Sequence, residues 1–206
     1  MFIIFPLVGF MYIAYVTYAI NDFKRLIAYT SVSHMNFLIL AMISTSSLGF
    51  SAAVYTMISH AIISSALFFL IGSLYKRNGN RSLVVLPGLA DTTPRLFFFL
   101  SLFLFANAGL PLFAGFPGEL FALISLWQYS PSVFLVILPG FYFLVFGMVR
   151  ALSSGCGTAS TTSLPVFRKT LPVDLTPVEF AGIFILFVWQ FAMALAPYIF
   201  LNSVFY

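Results

Sequence analysis

The chain has 206 residues, of which 62% are hydrophobic, 19% aromatic and only 7% charged. A soluble domain carries about 25% charged residues, so this inventory cannot build a water-facing surface, and 27 Phe with 10 Tyr exceed what one core of this size can hide. Nine basic against five acidic residues and a single Cys exclude a nucleic-acid-binding face, a disulfide scaffold and disorder; with a mean hydropathy of +1.08, the composition is that of an integral membrane protein.

A helix needs about 20 mostly apolar residues to cross ~30 Å of hydrocarbon. That ruler predicts uninterrupted spans over 3–20, 26–43, 51–75, 132–148 and 180–200. The stretch 96–128 carries no charge except Glu119. As one helix it would run to roughly 50 Å, too long for one crossing, yet it is too short for two crossings and a turn. Its middle holds Asn107, Gly109, Pro111, Gly115, Pro117 and Gly118, a run of helix breakers in an apolar setting. The expectation is one crossing made of two half-helices joined by unwound backbone near 107–118. The fold class is therefore an all-α membrane bundle of six transmembrane helices, the fourth discontinuous, forming a single membrane domain over 1–206.

The first span lacks the basic flank, short apolar core and small-residue cleavage site of a signal peptide, so it reads as retained. Six alternating spans put all nine basic residues on one side: Lys24, Arg25, Lys76, Arg77, Arg81, Arg95, Arg150, Arg168 and Lys169. The positive-inside rule makes that side the cytoplasm or matrix, with both termini opposite. Trp127, Tyr129, Tyr198 and Tyr206 fall at the far interface, where amphipathic rings belong. The inside loop 149–179 is Ser/Thr/Gly-rich and then Pro-punctuated, and reads as a flexible connector followed by a surface-lying stretch. Asp91, Asp174 and Glu179 read as solvated loop charges. Cys156 is alone, which leaves metal-cluster readings without a partner in this chain, and no phosphate-binding Gly motif is present. The sequence predicts no catalytic site and no metal site.

Three ionisable side chains fall well within spans: His34, His60 and Glu119. Intramembrane charges cost at least ~2.5 kcal/mol at the bilayer centre and usually line polar pathways. Counted from their span ends, all three lie roughly 12–15 Å deep, at one level on three spans. Glu119 follows the break directly, and unwound backbone is tolerated in a membrane only where it is buried in protein or faces a wet cavity. Apolar surroundings favour a neutral carboxyl group and a nearby cation favours the carboxylate, so a carboxyl there can take up and release a proton. The alternative is a protonated Glu bonded to neighbouring backbone purely as glue. His34 has Thr30, Ser31, Ser33 and Asn36 for company, and His60 has Ser59, Ser64 and Ser65. Such sets can relay protons or simply make interhelical bonds. Two midplane His on two spans also permit a b-type haem. Lys24, at the inside end of its span, is a topological anchor or the mouth of a proton path.

The segment Asp22-Phe-Lys24-Arg25-Leu-Ile-Ala-Tyr29-Thr-Ser-Val-Ser-His34-Met-Asn-Phe resembles the joint between two late helices of the subunit 4 family of NADH dehydrogenase, in respiratory complex I. So do Ser59-His60 through Gly72 to Arg77, and Gly88-Leu-Ala. Ala106-Asn107-Ala-Gly109-Leu-Pro111 through Phe116-Pro117-Gly118-Glu119 is similar to that family's discontinuous twelfth helix, although Leu112-Phe113-Ala114 stand where the family shows small and hydroxyl residues. Three blocks occur in the right order over 20–120; residues 130–206 fit in hydropathy and length only.

The resemblance implies an antiporter-like, proton-translocating membrane-arm subunit with fourteen helices in two inverted repeats, of which this chain matches the last six. Glu119 then matches the acidic residue of the broken helix, and His34 and His60 match histidines of a central hydrophilic axis leading toward Lys24. The implied function is coupling of quinone reduction to proton pumping within NADH:ubiquinone oxidoreductase. NADH, FMN, Fe–S clusters and ubiquinone belong to the whole complex, and none is bound by this chain. The implied partners are other membrane-arm subunits and lipid, including a separate chain carrying the first eight helices, as in a split gene; a start at Met1 on a whole helix favours that arrangement. The implied location is the mitochondrial inner membrane, with a bacterial plasma membrane or thylakoid as alternatives. The rival functions are a cation/proton antiporter or membrane-bound hydrogenase subunit on the same scaffold, and a purely structural membrane-arm fragment.

Overall fold

A computed structural model describes residues 2–79, 82–83, 89–156 and 174–198. Arg81, Arg168, Lys169, Gly88, Tyr206, most of the Ser/Thr-rich connector and positions 199–200 of the last expected span lie outside the described residues. The chain is an all-helical membrane bundle: α1 (Ile4–Ala19), α2 (Phe23–Ile43), α3 (Ser47–Asn78), the one-turn α4 (Leu89–Thr92), α5 (Pro94–Asn107), α6 (Gly115–Tyr129), α7 (Pro131–Cys156) and α8 (Pro177–Leu195). Among these, α2, α3, α7 and α8 are long and apolar enough to cross a membrane, and α1 and α5 are shorter apolar helices.

Several boundaries differ from those read by hydropathy. Helix α3 runs past 51–75 at both ends because Ser46 caps it, accepting from the Gly49 amide at 3.0 Å, and Gly79 ends it at φ 66. Its last turn holds Lys76 and Arg77, cations that favour a helix C-terminus but that an apolar ruler discards. Helix α7 continues to Cys156, so 149–156 is helix and not loop. The hydroxyls of Ser153 and Ser154 bond the carbonyls of Arg150 and Ala151 at 2.9 and 2.7 Å, which seats these two serines in the last turns of the helix. Helix α8 starts at Pro177, where Thr176 and Glu179 form a reciprocal capping box. It stops at Leu195, short of 200, because Pro197 disfavours a helical Ala196.

The non-helical link between α5 and α6 spans 108–114 and is narrower than the expected 107–118. Asn107 is the last residue of α5, and Gly115, Pro117 and Gly118 belong to the first turn of α6. Proline in a first turn lacks only an N–H that would have no intrahelical partner, so Pro117 starts this helix and does not break it. Within the link, Gly109 at φ 70 and Leu112 at φ 97 leave the right-handed backbone region.

Helix α2 is central, packed on α1, α3 and α6, while α3 packs on α2, α5, α6 and α8. Two apolar cores result. One gathers Phe23, Leu26, Leu67, Leu70, Leu96 and Phe103; the other gathers Phe10, Phe37, Leu38, Ala53, Ala122 and Ile137. Along α2, α3 and α5–α6, the residues between these cores are Thr30, His34, His60, Asn107 and Glu119.

The first core's end of the bundle is pinned by polar contacts between connectors. Arg150 donates to the carbonyls of Tyr18 and Ile20 at 2.7 and 2.9 Å and to the Asn21 side chain, which satisfies carbonyls that the end of α1 leaves open. Leu83 N–H reaches the Asn21 carbonyl at 2.8 Å. Asp174 accepts from the amides of Arg95 and Leu96 at 3.0 and 3.1 Å and so caps α5, whose own flanking Thr93 makes no side-chain cap. Glu179 pairs with Arg77 at 2.5 Å and accepts from Ser73 at 3.2 Å. Asp174 and Glu179 are thus structural partners and not the solvated charges that their loop setting suggests.

Candidate functional site

Four helices bring polar groups to the layer between the cores: Thr30 and His34 from α2, His60 from α3, Asn107 from α5 and the partly buried Glu119 from α6. The α2 register places Thr30 and His34 one turn apart, both buried, on the face turned toward α3, α5 and α6. His34 Nδ1 lies 3.5 Å from Glu119 Oε1, with the two side chains 5% and 12% exposed. The carboxyl group therefore faces a histidine and not lipid. On its other side, the His34 ring meets the ring of His60 from α3, with centroids 5.1 Å apart and planes at 43°.

Asn107 closes the layer from the end of α5. Its amide donates to Thr30 Oγ1 at 3.3 Å and approaches Met148 sulfur at 3.8 Å. Glu119 sits in α6 just past the 108–114 link, and its carboxyl rests against Gly109. Helix α6 gets this close to α3 because Gly118 lies on Thr56 and Tyr55, where any side chain would collide.

The layer reaches further through a residue absent from the sequence reading. Gln190 of α8 is fully buried and donates to Ser59 Oγ at 3.0 Å, next in sequence to His60. One turn along α3, Tyr55 donates to the Met193 carbonyl at 2.9 Å, near the end of α8. A second polar cluster lies toward the second core's end, where Ser44 contacts Ser46 at 3.1 Å and Ser125 at 3.4 Å. An amide in an otherwise apolar span was the available signal for Gln190.

Other expected companions are elsewhere. Lys24 is exposed at the start of α2, ten residues from His34 and so roughly 15 Å along the helix; it does not join the cluster. Ser31, Asn36, Ser64 and Ser65 bond carbonyls of their own helices. The haem alternative fails on geometry, because the two imidazoles touch and leave no slot for a planar macrocycle between them. Among the described residues, no group of three His, Cys, Asp or Glu is arranged to hold a metal ion. Chemically, the site holds three groups that can exchange a proton, a carboxyl and two imidazoles, beside an amide and hydroxyls that make hydrogen bonds.

Residues 1–147 match the family model described as NADH:quinone oxidoreductase/Mrp antiporter, TM. The chain belongs to that family. Over 121 residues it is 34% identical to a protein of Rickettsia prowazekii named NADH-quinone oxidoreductase subunit M, an alignment covering 59% of this chain and 25% of that one. Its fold matches a chain of respiratory complex I from Thermus thermophilus with a TM-score of 0.87 and 25% identity, covering 97% of this chain and 41% of the other. It also matches a chain of the Mrp complex from Dietzia with a TM-score of 0.82 and 19% identity, over 98% and 45% of the two chains. The chain thus spans about a quarter of the length of the curated relative.

Proposed function

We propose that this chain is a proton-translocating part of the membrane arm of an NADH:quinone oxidoreductase. The observation that carries the reading is the approach of Glu119 to His34 at 3.5 Å between two apolar cores. A carboxyl so enclosed is a costly feature for packing alone, and it is in contact with a group able to receive its proton. In this reading, α5 and α6 form one interrupted crossing, the chain makes six crossings, and these are the second half of a fourteen-helix antiporter-like scaffold. The bundle lies in the mitochondrial inner membrane or a bacterial equivalent, with the basic end facing the matrix or cytoplasm and both termini on the other side.

Charge moves within this chain by exchange among fixed groups. Glu119 gives its proton to His34 Nδ1, and His34 and His60 are close enough for one to respond to the charge of the other. Asn107 bonds Thr30 one turn before His34, and Ser59 with Gln190 extends the polar layer to α8. Chemistry at NADH, FMN, Fe–S clusters and quinone belongs to other parts of the complex, and this chain binds none of them. A cation/proton antiporter on the same scaffold is the second reading, favoured by the family description itself.

The test is to affinity-purify the tagged chain from its native membrane and reconstitute what accompanies it. The expected result is NADH-dependent quinone reduction with proton uptake that an uncoupler collapses, without a requirement for sodium. Sodium-driven proton exchange with no NADH oxidation would select the antiporter reading instead.

A further inference from the structure

Two grooves open at the end of the bundle that carries Lys76, Arg77, Arg95 and Arg150, one on each side of α8. The groove between α5 and α8 has a volume of about 380 Å³ and is lined by Pro94, Arg95, Phe98, Phe99, Phe180 and Phe184. Its walls are rings: Phe99 meets Phe180 edge-on at 5.4 Å, and Phe180 stacks on Phe184 at 6.0 Å. Phe98 and Phe184 remain exposed along it.

Arg95 is the one charged side chain in this lining. Its guanidinium makes no hydrogen bond or ion pair among the described residues. Asp174, the nearest carboxylate, is spent on the backbone amides of Arg95, Leu96 and Leu175. Both α5 and α8 begin at this end, so Phe98 and Phe99 lie about 5–6 Å deeper than Arg95, and Phe184 lies deeper on α8. A cation at the rim above an aromatic floor fits a phosphate held by a guanidinium fork with hydrocarbon below it. The groove between α3 and α8, about 290 Å³, supplies the contrast: there Lys76 shares the lining with Glu179, which is paired with Arg77, and the lining carries a carboxylate that the α5–α8 groove lacks.

We propose that the α5–α8 groove is a binding site for an anionic phospholipid, with its phosphate on Arg95 and an acyl chain along Phe98, Phe99, Phe180 and Phe184. The site is independent of any proton transfer. The test uses the intact assembly containing this chain in nanodiscs that carry phosphatidylglycerol or phosphatidylcholine with a photoactivatable acyl chain, followed by mapping of labelled peptides. The expected result is labelling of the 94–99 and 180–184 peptides favouring phosphatidylglycerol by about fivefold, the effect of one cation at a membrane surface. Arg95→Gln should bring that ratio to about one while labelling remains, and Lys76→Gln should leave it unchanged. Equal labelling by the two lipids in the unaltered chain would overturn the proposal. So would a preference that survives Arg95→Gln, or a groove that neither lipid labels because a protein covers it.

Discussion

The carboxyl group of Glu119 occupies the space that a side chain at Gly109 would need. Gly109 also has φ +70, a conformation that costs other residues roughly 1–2 kcal/mol. Gly109→Ala therefore adds a backbone penalty and pushes the carboxyl away from His34. The expected outcome is an assembled complex, seen on a native gel, whose NADH oxidation carries less proton uptake. Full uptake in assembled Gly109→Ala would show that the seat of the carboxyl is unimportant.

Asp174 caps a helix whose capped amide lies 79 residues earlier in the chain. Asp174→Ala should lower stability by about 1 kcal/mol, as for loss of an N-cap, while Asp174→Asn should keep part of it with one acceptor oxygen. Thermal inactivation midpoints of the purified assembly would rank the variants as wild type, Asn, Ala. An unchanged midpoint for Ala would mean that the loop before α8 does not hold α5.

Arg77 and Glu179 are partly buried, with side chains 13% and 21% exposed. A double-mutant cycle with Arg77→Met and Glu179→Gln should give a coupling of about 1–2 kcal/mol, between the values for exposed pairs and for charge-assisted hydrogen bonds. Additive effects would mean that the pair contributes nothing of its own.

Gln190 and Ser59 should behave as one unit. Ser59→Ala, Gln190→Leu and their combination should show a coupling near ~0.6 kcal/mol, the average for interhelical hydrogen bonds in membranes. The readout is the unfolding midpoint of the assembly in detergent and denaturant. No measurable coupling would remove this bond from the account of how α8 is tied to α3.

Hydropathy located Glu119, His34 and His60 because a charge or imidazole stands out against apolar neighbours, and helical rise placed them at one depth. Their contact could not be read that way, since depth says nothing about which face of each helix meets the next. Thr30 and Asn107 illustrate the gap: each is an ordinary polar residue in sequence, and only the docking of α5 on α2 makes them partners. The same limit hid Asp174 and Glu179, whose partners Arg95 and Arg77 are distant in the chain. Proline misled differently. Pro111 lies in the unwound link, whereas Pro117 begins a helix, and the residue type is the same in both roles. Lys24 stands where its sequence position puts it, exposed at the start of α2, at the span end and apart from the buried groups.

The most direct measurement is the number of protons moved per NADH oxidised by the reconstituted assembly carrying Glu119→Gln, beside Glu119→Asp. Gln keeps the size and hydrogen-bonding edge facing His34 but cannot exchange a proton. The account predicts that Gln lowers the ratio while quinone reduction continues uncoupled or slows, and that Asp restores part of it. An unaltered ratio in Glu119→Gln would contradict it.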